Sequence, residues 1–301
     1  MVKAKAMIDF VKITFYDKYR IENHVTNPDN FKECYSIIEQ NSGEILYPKK
    51  VYEKKMEVSI TKKTACLRNS IHKMANYIEH GKADNYNDFG YNRLCKTIDY
   101  LNDKFLLSRH DKITQLEFGL NIKTLIPAQD IVSNNIIYHK YKTHSVNRYF
   151  NGKGCLKQFN HSNYNIKVYD KAKQNNLNAN ILRFEIKYKG NKVIKSLGGY
   201  NLFDLKDKEV LRTLFRDLLK RFDELTIIDE IPDEVSKKDR KEIQMYLSFN
   251  YWENLSERKN RNRKAIHIKR FNKLLEKNDL LKTHKFLRNS LIQKFKNLID
   301  N

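Results

Sequence analysis

"ITQLEFGLNI", residues 113–122, sets Leu116, Phe118 and Leu120 against Gln115, Glu117 and Asn121. Alternation with a period of two is the mark of a strand buried on one face only. Four other stretches repeat it: "MIDFVKITF" (7–15), "KKMEVSIT" (54–61), "YNIKVYDK" (164–171) and "NILRFEIKYK" (180–189). Their apolar sets face a core, which leaves Glu57 with Ser59, Lys167 with Tyr169 and Lys171, and Arg183 with Glu185 on the other faces. Asp170 falls with the buried set unless a bulge re-aims it.

Between the strands, "YNRLCKTIDYLNDKFLL" (91–107) places Leu94, Ile98, Leu101 and Phe105 on one face of a helix. A second helix is expected from about Asp207 to Phe222, striped by Val210, Leu214, Leu218 and Phe222. Strands interspersed with helices, and no Gly-rich phosphate loop, predict an α+β fold around an antiparallel sheet. The texture changes after "IIDEIPDE" (227–234). We therefore expect a domain over residues 1–230 and a basic helical region over 231–301, a small bundle in which Leu287, Leu291, Phe295 and Leu298 form a narrow apolar stripe.

Charge is the strongest compositional signal. The 58 Lys and Arg against 36 Asp and Glu give a net charge of +22. From Val235 to Asn301 there are 18 basic and 7 acidic residues, so +11 of that excess lies at one end. Such an excess is commonly offset by a polyanion. The 18 tyrosines and 16 phenylalanines offer stacking surfaces for unpaired bases. Four cysteines lie far apart with no CxxC pair, which argues against a zinc knuckle and for reduced thiols in a cytosol. No apolar run approaches the roughly 18–20 residues of a membrane span, and the N-terminus does not read as a signal peptide.

If the four polar faces belong to one sheet, they bring Glu57, Glu117, Glu185, Tyr169 and Lys171 together. Carboxylates suit a hard cation, Mg²⁺ or Mn²⁺. A cation there polarises a phosphate and stabilises a leaving 3′-oxygen. A phenol, with a free pKa near ~10, is a weak nucleophile at neutral pH unless helped, and Lys171 is placed to favour the phenolate. Each acid taken singly also reads as a solvated strand face or an ion pair; their sharing of one face points to DNA cleavage by transesterification.

The order "MIDF", "QLEFGL", "VYDK", "LRFEIKYK" and "LGGYNLFDL" (197–205) resembles the gene II replication initiators of filamentous phages and related phage and plasmid rolling-circle initiators. The segment "RNSIHKMANYIEHGKADNYNDF" (68–89) is similar to the family's basic loop, and "YWENLSERKNRNR" (251–263), less specifically, to its helical C-terminal region. The resemblance implies a metal-dependent nicking and joining enzyme of the bacterial cytoplasm. Tyr169 would be the nucleophile that links to the 5′-phosphate, with Lys171 beside it. Glu117 and Glu185 would hold the metal, with Glu57 a further strand acid. The 3′-OH left behind would prime a host polymerase, aided by a host helicase. Arg183, His72, Lys73, Arg258, Arg261, Arg263, Lys264, Lys269 and Arg270 are the expected contacts to duplex and single-stranded origin DNA. A second copy of the chain is one route to the closing step, a second tyrosine another. No His-x-His motif occurs, a departure from many relaxases and initiators. A non-catalytic DNA-binding regulator and a hydrolytic metal nuclease are the alternatives.

Overall fold

A computed structural model describes residues 7–87, 89–150, 154–255 and 260–300. Its strands are β1 (Ile8–Thr14), β2 (Tyr35–Ile38), β3 (Ile45–Glu53), β4 (Met56–Ile60), β5 (Ala65–Ser70) and β6 (Lys112–Lys123). They continue as β7 (Ile136–His139), β8 (Val146–Phe150), β9 (Gly154–Asn160), β10 (Tyr164–Asp170), β11 (Ile181–Lys189) and β12 (Leu225–Ile227). Ten of them form one antiparallel sheet in the order β2-β3-β4-β5-β1-β6-β11-β10-β9-β8, and β12 pairs with β7 separately. The fold is α+β, as expected. All five anticipated strands form. The strand "ITQLEFGLNI" becomes β6, which lies inside the sheet with a neighbour on each side.

The helices are α1 (Lys18–Thr26), α2 (Ile71–His80), α3 (Tyr91–Phe105), α4 (Ala128–Asp130), α5 (Lys171–Gln174) and α6 (Asn191–Ser196). After them come α7 (Lys208–Asp223), α8 (Lys237–Leu247), α9 (Phe249–Asn254), α10 (Arg261–Lys277) and α11 (Lys282–Ile299). The predicted stripe of α3, Leu94, Ile98, Leu101 and Phe105, is fully buried. On the apolar face of the sheet, Phe184 of β11 meets Phe222 of α7 edge-on at 5.4 Å between ring centroids. Phe295 of α11 stacks on Phe215 of α7 at 4.0 Å and approaches Phe118 of β6 at 6.5 Å. Burying each such ring contributes about 1.5–3 kcal/mol. Among the described residues, no helix is long and apolar enough to cross a membrane.

The basic tail differs from a self-contained bundle. Helices α8 to α10 gather a second core of Ile243, Tyr246, Trp252, Phe271 and Leu275 with Tyr138 of β7. Helix α11 instead buries Leu287, Leu291, Phe295 and Leu298 in the main core. The chain leaves and rejoins the main core at one place. Asp229 donates its backbone N–H to the Leu280 carbonyl at 3.1 Å. Its carboxylate accepts from the backbone N–H of Lys282 at 2.6 Å and of Thr283 at 3.2 Å, capping α11.

At the outer edge of the sheet, Glu22 ties α1 to β3. Its carboxylate accepts from Lys49 Nζ at 2.7 Å and Tyr47 Oη at 2.8 Å, and pairs with Lys18 at 3.0 Å. Burial opposes that charge, but Lys49, Lys18 and Tyr47 outweigh it and bring Glu22 down to about 2. A carboxylate depressed in the folded state stabilises above its unfolded pKa and loses that effect as pH falls through the folded value. Glu22→Gln is therefore expected to lose on the order of 2 kcal/mol at neutral pH, a deficit that shrinks between pH 4.5 and about 2. Thermal unfolding across that range checks it; a deficit equal at both ends would contradict the assignment.

Candidate active site

Three carboxylates converge on the polar face: Asp9 of β1, Glu117 of β6 and Glu185 of β11. One oxygen from each lies within 4.8 Å of the others, and all three residues are buried. Glu117 and Glu185 were anticipated. Asp9 was not, because strict alternation puts it on the core face with Val11 and Ile13. The register explains its position. Ile8 pairs with Phe118 and Val11 with Leu116, so β1 spends two residues, Asp9 and Phe10, where β6 spends one, Glu117. This bulge turns Asp9 toward the polar face. Ser70 donates to Asp9 there, and the same hydroxyl accepts from the Lys73 N–H to cap α2.

Gly119 makes room for Glu185, its cross-strand partner. A Cβ at residue 119 would lie 2.4 Å from Glu185 Cβ and 2.8 Å from its Cα, so only glycine fits. Glu185 is then held by Arg183 Nε at 2.5 Å and Lys167 Nζ at 3.0 Å. Lys167 also donates to Glu117 at 3.1 Å, and Lys187 approaches Glu117 at 3.3 Å. Burial works against the charge on Glu185, but Lys167 and Arg183 outweigh it and keep its carboxyl below the usual range. For Glu117, burial and the neighbouring charge of Glu185 prevail and push it up.

Tyr169 lies beside this cluster. It pairs across strands with Arg183, and its hydroxyl donates to Glu185 Oε2 at 3.3 Å. Burial, then the charge of Glu185, raises the phenol well above its ordinary value, while Arg183 pulls the other way. Lys171 begins α5 instead of extending the strand, and its Nζ is 5.6 Å from the centroid of the Tyr169 ring. Burial and the charge of Arg183 lower it to about 8. Asp170 turns away from the cluster and caps α5 through the Lys173 N–H at 2.9 Å.

A loop after α2 lies over this face. Asn85 donates to Asp9 at 2.6 Å and accepts from Lys171 at 2.7 Å, and the Tyr86 carbonyl accepts from Asn121 at 3.4 Å. The loop is anchored at Asn87, which exchanges hydrogen bonds with Asn76 at 2.7 and 2.9 Å and accepts from His72 Nε2 at 2.7 Å. Asn85 was missed in sequence; it sits in a polar loop with no periodicity to mark it.

Several expected site residues lie elsewhere. Glu57 pairs with Arg68 at 2.8 Å, outside the carboxylate cluster. His72 is a buried ring stacked on Phe89 at 4.9 Å, brought down to about 3 by burial, so it is a neutral packing group and not a DNA contact. Arg183 is fully buried and bonds Asn121 Oδ1 at 3.0 Å besides its acids, so it braces the site and does not meet DNA directly. Lys73 is exposed and lines a cleft of about 420 Å³ with Asp9, Phe10, Lys55 and Glu117. On α10, Arg261, Arg263, Lys269 and Arg270 are exposed and Lys264 half-buried; Arg270 pairs with Glu242. Arg258 lies outside the described residues. A second cleft, of about 230 Å³, opens on Tyr169, Lys167 and Glu185. The larger cleft between β12, α10 and α11 contains none of the carboxylates.

Hard oxygen donors in this number and spacing suit Mg²⁺ or Mn²⁺. The fit is supported by Lys167, whose ammonium already lies between Glu117 and Glu185 as a cation would. Asp9, Glu117 and Glu185 are the residues that would hold the ion.

No family model matches the chain, and no curated protein matches it. Among solved structures, it is similar to a rolling-circle replication initiator protein from Geobacillus stearothermophilus. The identity is 12% over 80% of this chain and 91% of that one, with a TM-score of 0.42. So distant a likeness carries no weight for function.

Proposed function

We propose that the chain nicks and rejoins a DNA strand through Tyr169, as a rolling-circle replication initiator. The observation that carries this reading is the Tyr169 hydroxyl bonded to Glu185 at 3.3 Å, within a trio of carboxylates on one sheet face. The order of sequence motifs supports placing the activity in replication.

Tyr169 Oη forms a bond to phosphorus, and the 3′-oxygen leaves to become a 3′-hydroxyl. The phenolic proton is released as the bond to phosphorus forms, the leaving 3′-oxygen takes up one proton in exchange, and Glu185, kept ionised by Lys167 and Arg183, orients the hydroxyl. Lys171 supplies positive charge beside the ring, and Arg183 fixes Glu185 through a second bond. A bound divalent cation would supply charge neutralisation at the phosphate. Exposed cations on α10 and Lys73 hold the backbone of the DNA, so binding weakens steeply with salt. Reversal of the same exchange, with a new 3′-hydroxyl attacking the phosphotyrosine, closes the strand. The test is capture of a labelled single strand as a covalent adduct in Mn²⁺, dependent on Tyr169.

Metal binding is separable from chemistry. Mn²⁺ is expected to raise the Tm of the intact protein, and Glu117→Gln to weaken its apparent affinity by at least about tenfold. Equal Mn²⁺ stabilisation in both proteins would remove Glu117 from the site.

A further inference from the structure

The outer half of the polar face, beyond the carboxylates, carries exposed aromatics that the chemistry does not use. Tyr35 of β2 and Tyr52 of β3 are 53% and 51% exposed, with ring centroids 5.8 Å apart. Register places them on the same face as the active site. Tyr52 pairs with Glu57, Glu57 with Arg68, Arg68 with Lys12, and Lys12 with Gln115, two residues from Glu117 on β6. Tyr35 pairs with Lys50, two residues from Tyr52. The line from Tyr169 to Tyr52 crosses six strand spacings, about 29 Å at ~4.8 Å each, and shifts by the six residues from Asn121 to Gln115 along β6, about 20 Å, for a separation of roughly 35 Å. A stacked strand of roughly ten nucleotides covers that distance.

We propose that Tyr35 and Tyr52 form a stacking platform for unpaired bases of a single DNA strand that runs across the sheet from the nicking site. This rests on the function proposed above and adds a second grip remote from the reacting phosphate. Lys50 and Lys12 lie along the track, suited to phosphates, with Arg68 and Lys187 beside them paired to Glu57 and Glu117, on a chain of net charge +22; Glu33 accepts from the Tyr35 hydroxyl at the rim. The same positive charge opposes edge-to-edge pairing of β2 with a second copy. Two half-exposed rings set edge-to-face at 67° offer stacking surface to bases of any sequence, whereas a duplex keeps its bases stacked internally.

The experiment measures binding in the Tyr169→Phe background, with EDTA, where no strand transfer occurs. The probes are a fluorescent oligothymidylate of about 20 nucleotides and a duplex of equal length. Replacing both tyrosines with alanine is expected to weaken oligothymidylate binding about 10- to 100-fold, and duplex binding by less than about threefold. Replacing both with phenylalanine is expected to retain single-strand affinity, which separates stacking from a folding defect. Unchanged oligothymidylate affinity in the alanine pair overturns the platform, as does an equal loss for duplex. So does a loss that coincides with dissolution of a dimer in sedimentation velocity, which would assign the patch to a second copy. The outcomes are independent of the nicking reading: adduct formation by the wild type with normal binding by the alanine pair removes only the platform. Selective loss of single-strand binding without any adduct removes only the chemistry.

Discussion

Replacing Tyr169 with phenylalanine is expected to abolish the covalent protein–DNA adduct proposed above and to lower strand cleavage by at least about a thousandfold. The ring is only 7% exposed and packs in the same way without its hydroxyl, so the fold is retained and the loss is one of chemistry. The oxygen removed is the one that donates to Glu185. The substrate carries its label on the 3′ side of the nick, because that fragment bears the 5′-phosphate that becomes linked. A labelled band migrating with the protein on a denaturing gel reports the adduct. Cleavage that persists in the variant, leaving a free 5′-phosphate, would make the site a hydrolytic nuclease with Tyr169 as packing. Tight binding with no cleavage by the wild type would make the chain a regulator.

Arg183→Met is expected to destabilise the protein by about 3–5 kcal/mol, a fall in Tm of roughly 6–10 °C for a chain of this size. Arg183 is fully buried and pairs with Glu185 at 2.5 Å and with Asp9 at 3.5 Å. Its removal leaves two buried carboxylates short of a counter-charge, which is why breaking such a pair costs more than making it gains. The exposed pair of Arg216 with Glu209 offers a control; its loss is worth no more than about 1 kcal/mol. Mn²⁺ is expected to recover part of the Arg183→Met deficit, since a cation held by Asp9 and Glu185 restores the missing charge. Thermal unfolding with and without Mn²⁺ checks both points. A deficit no larger than that of Arg216→Met would mean that the acids are neutral or solvated without Arg183.

Period-two alternation was sufficient to find β1, β4, β6, β10 and β11, and with them Glu117, Glu185 and Tyr169 on one face. It failed at Asp9 because the bulge opposite Glu117 breaks the period within a single residue, and nothing local to "MIDF" marks the break. The intervening strands were hidden for another reason. β3 reads "ILYPKKVYE", where Pro48 and two lysines interrupt any apolar face, and β2 reads "YSII", wholly exposed at the sheet edge. Such segments become strands because β4 and the rest of the sheet offer them hydrogen bonds. Arg183 and His72 were read as DNA contacts from residue type, but neighbouring strands and the loop over them decide their burial. The glycine of "QLEFGL" was the one available sign of close approach, and its partner proved to be Glu185.

The closure at Asp229 and Leu280 has a consequence for how this architecture can change. Residues 230–280 form a detour whose two ends adjoin, while α11, beyond it, backs the strand that carries Glu117. A C-terminal truncation would strip the support behind the site. A swap confined to the detour would leave the main sheet and α11 in register, provided the replacement covers Tyr138 of β7. Lineages could thus exchange the basic helices of the detour by recombination inside the chain, and inherit the sheet that carries Tyr169 and the carboxylates before the graft and α11 behind it unchanged.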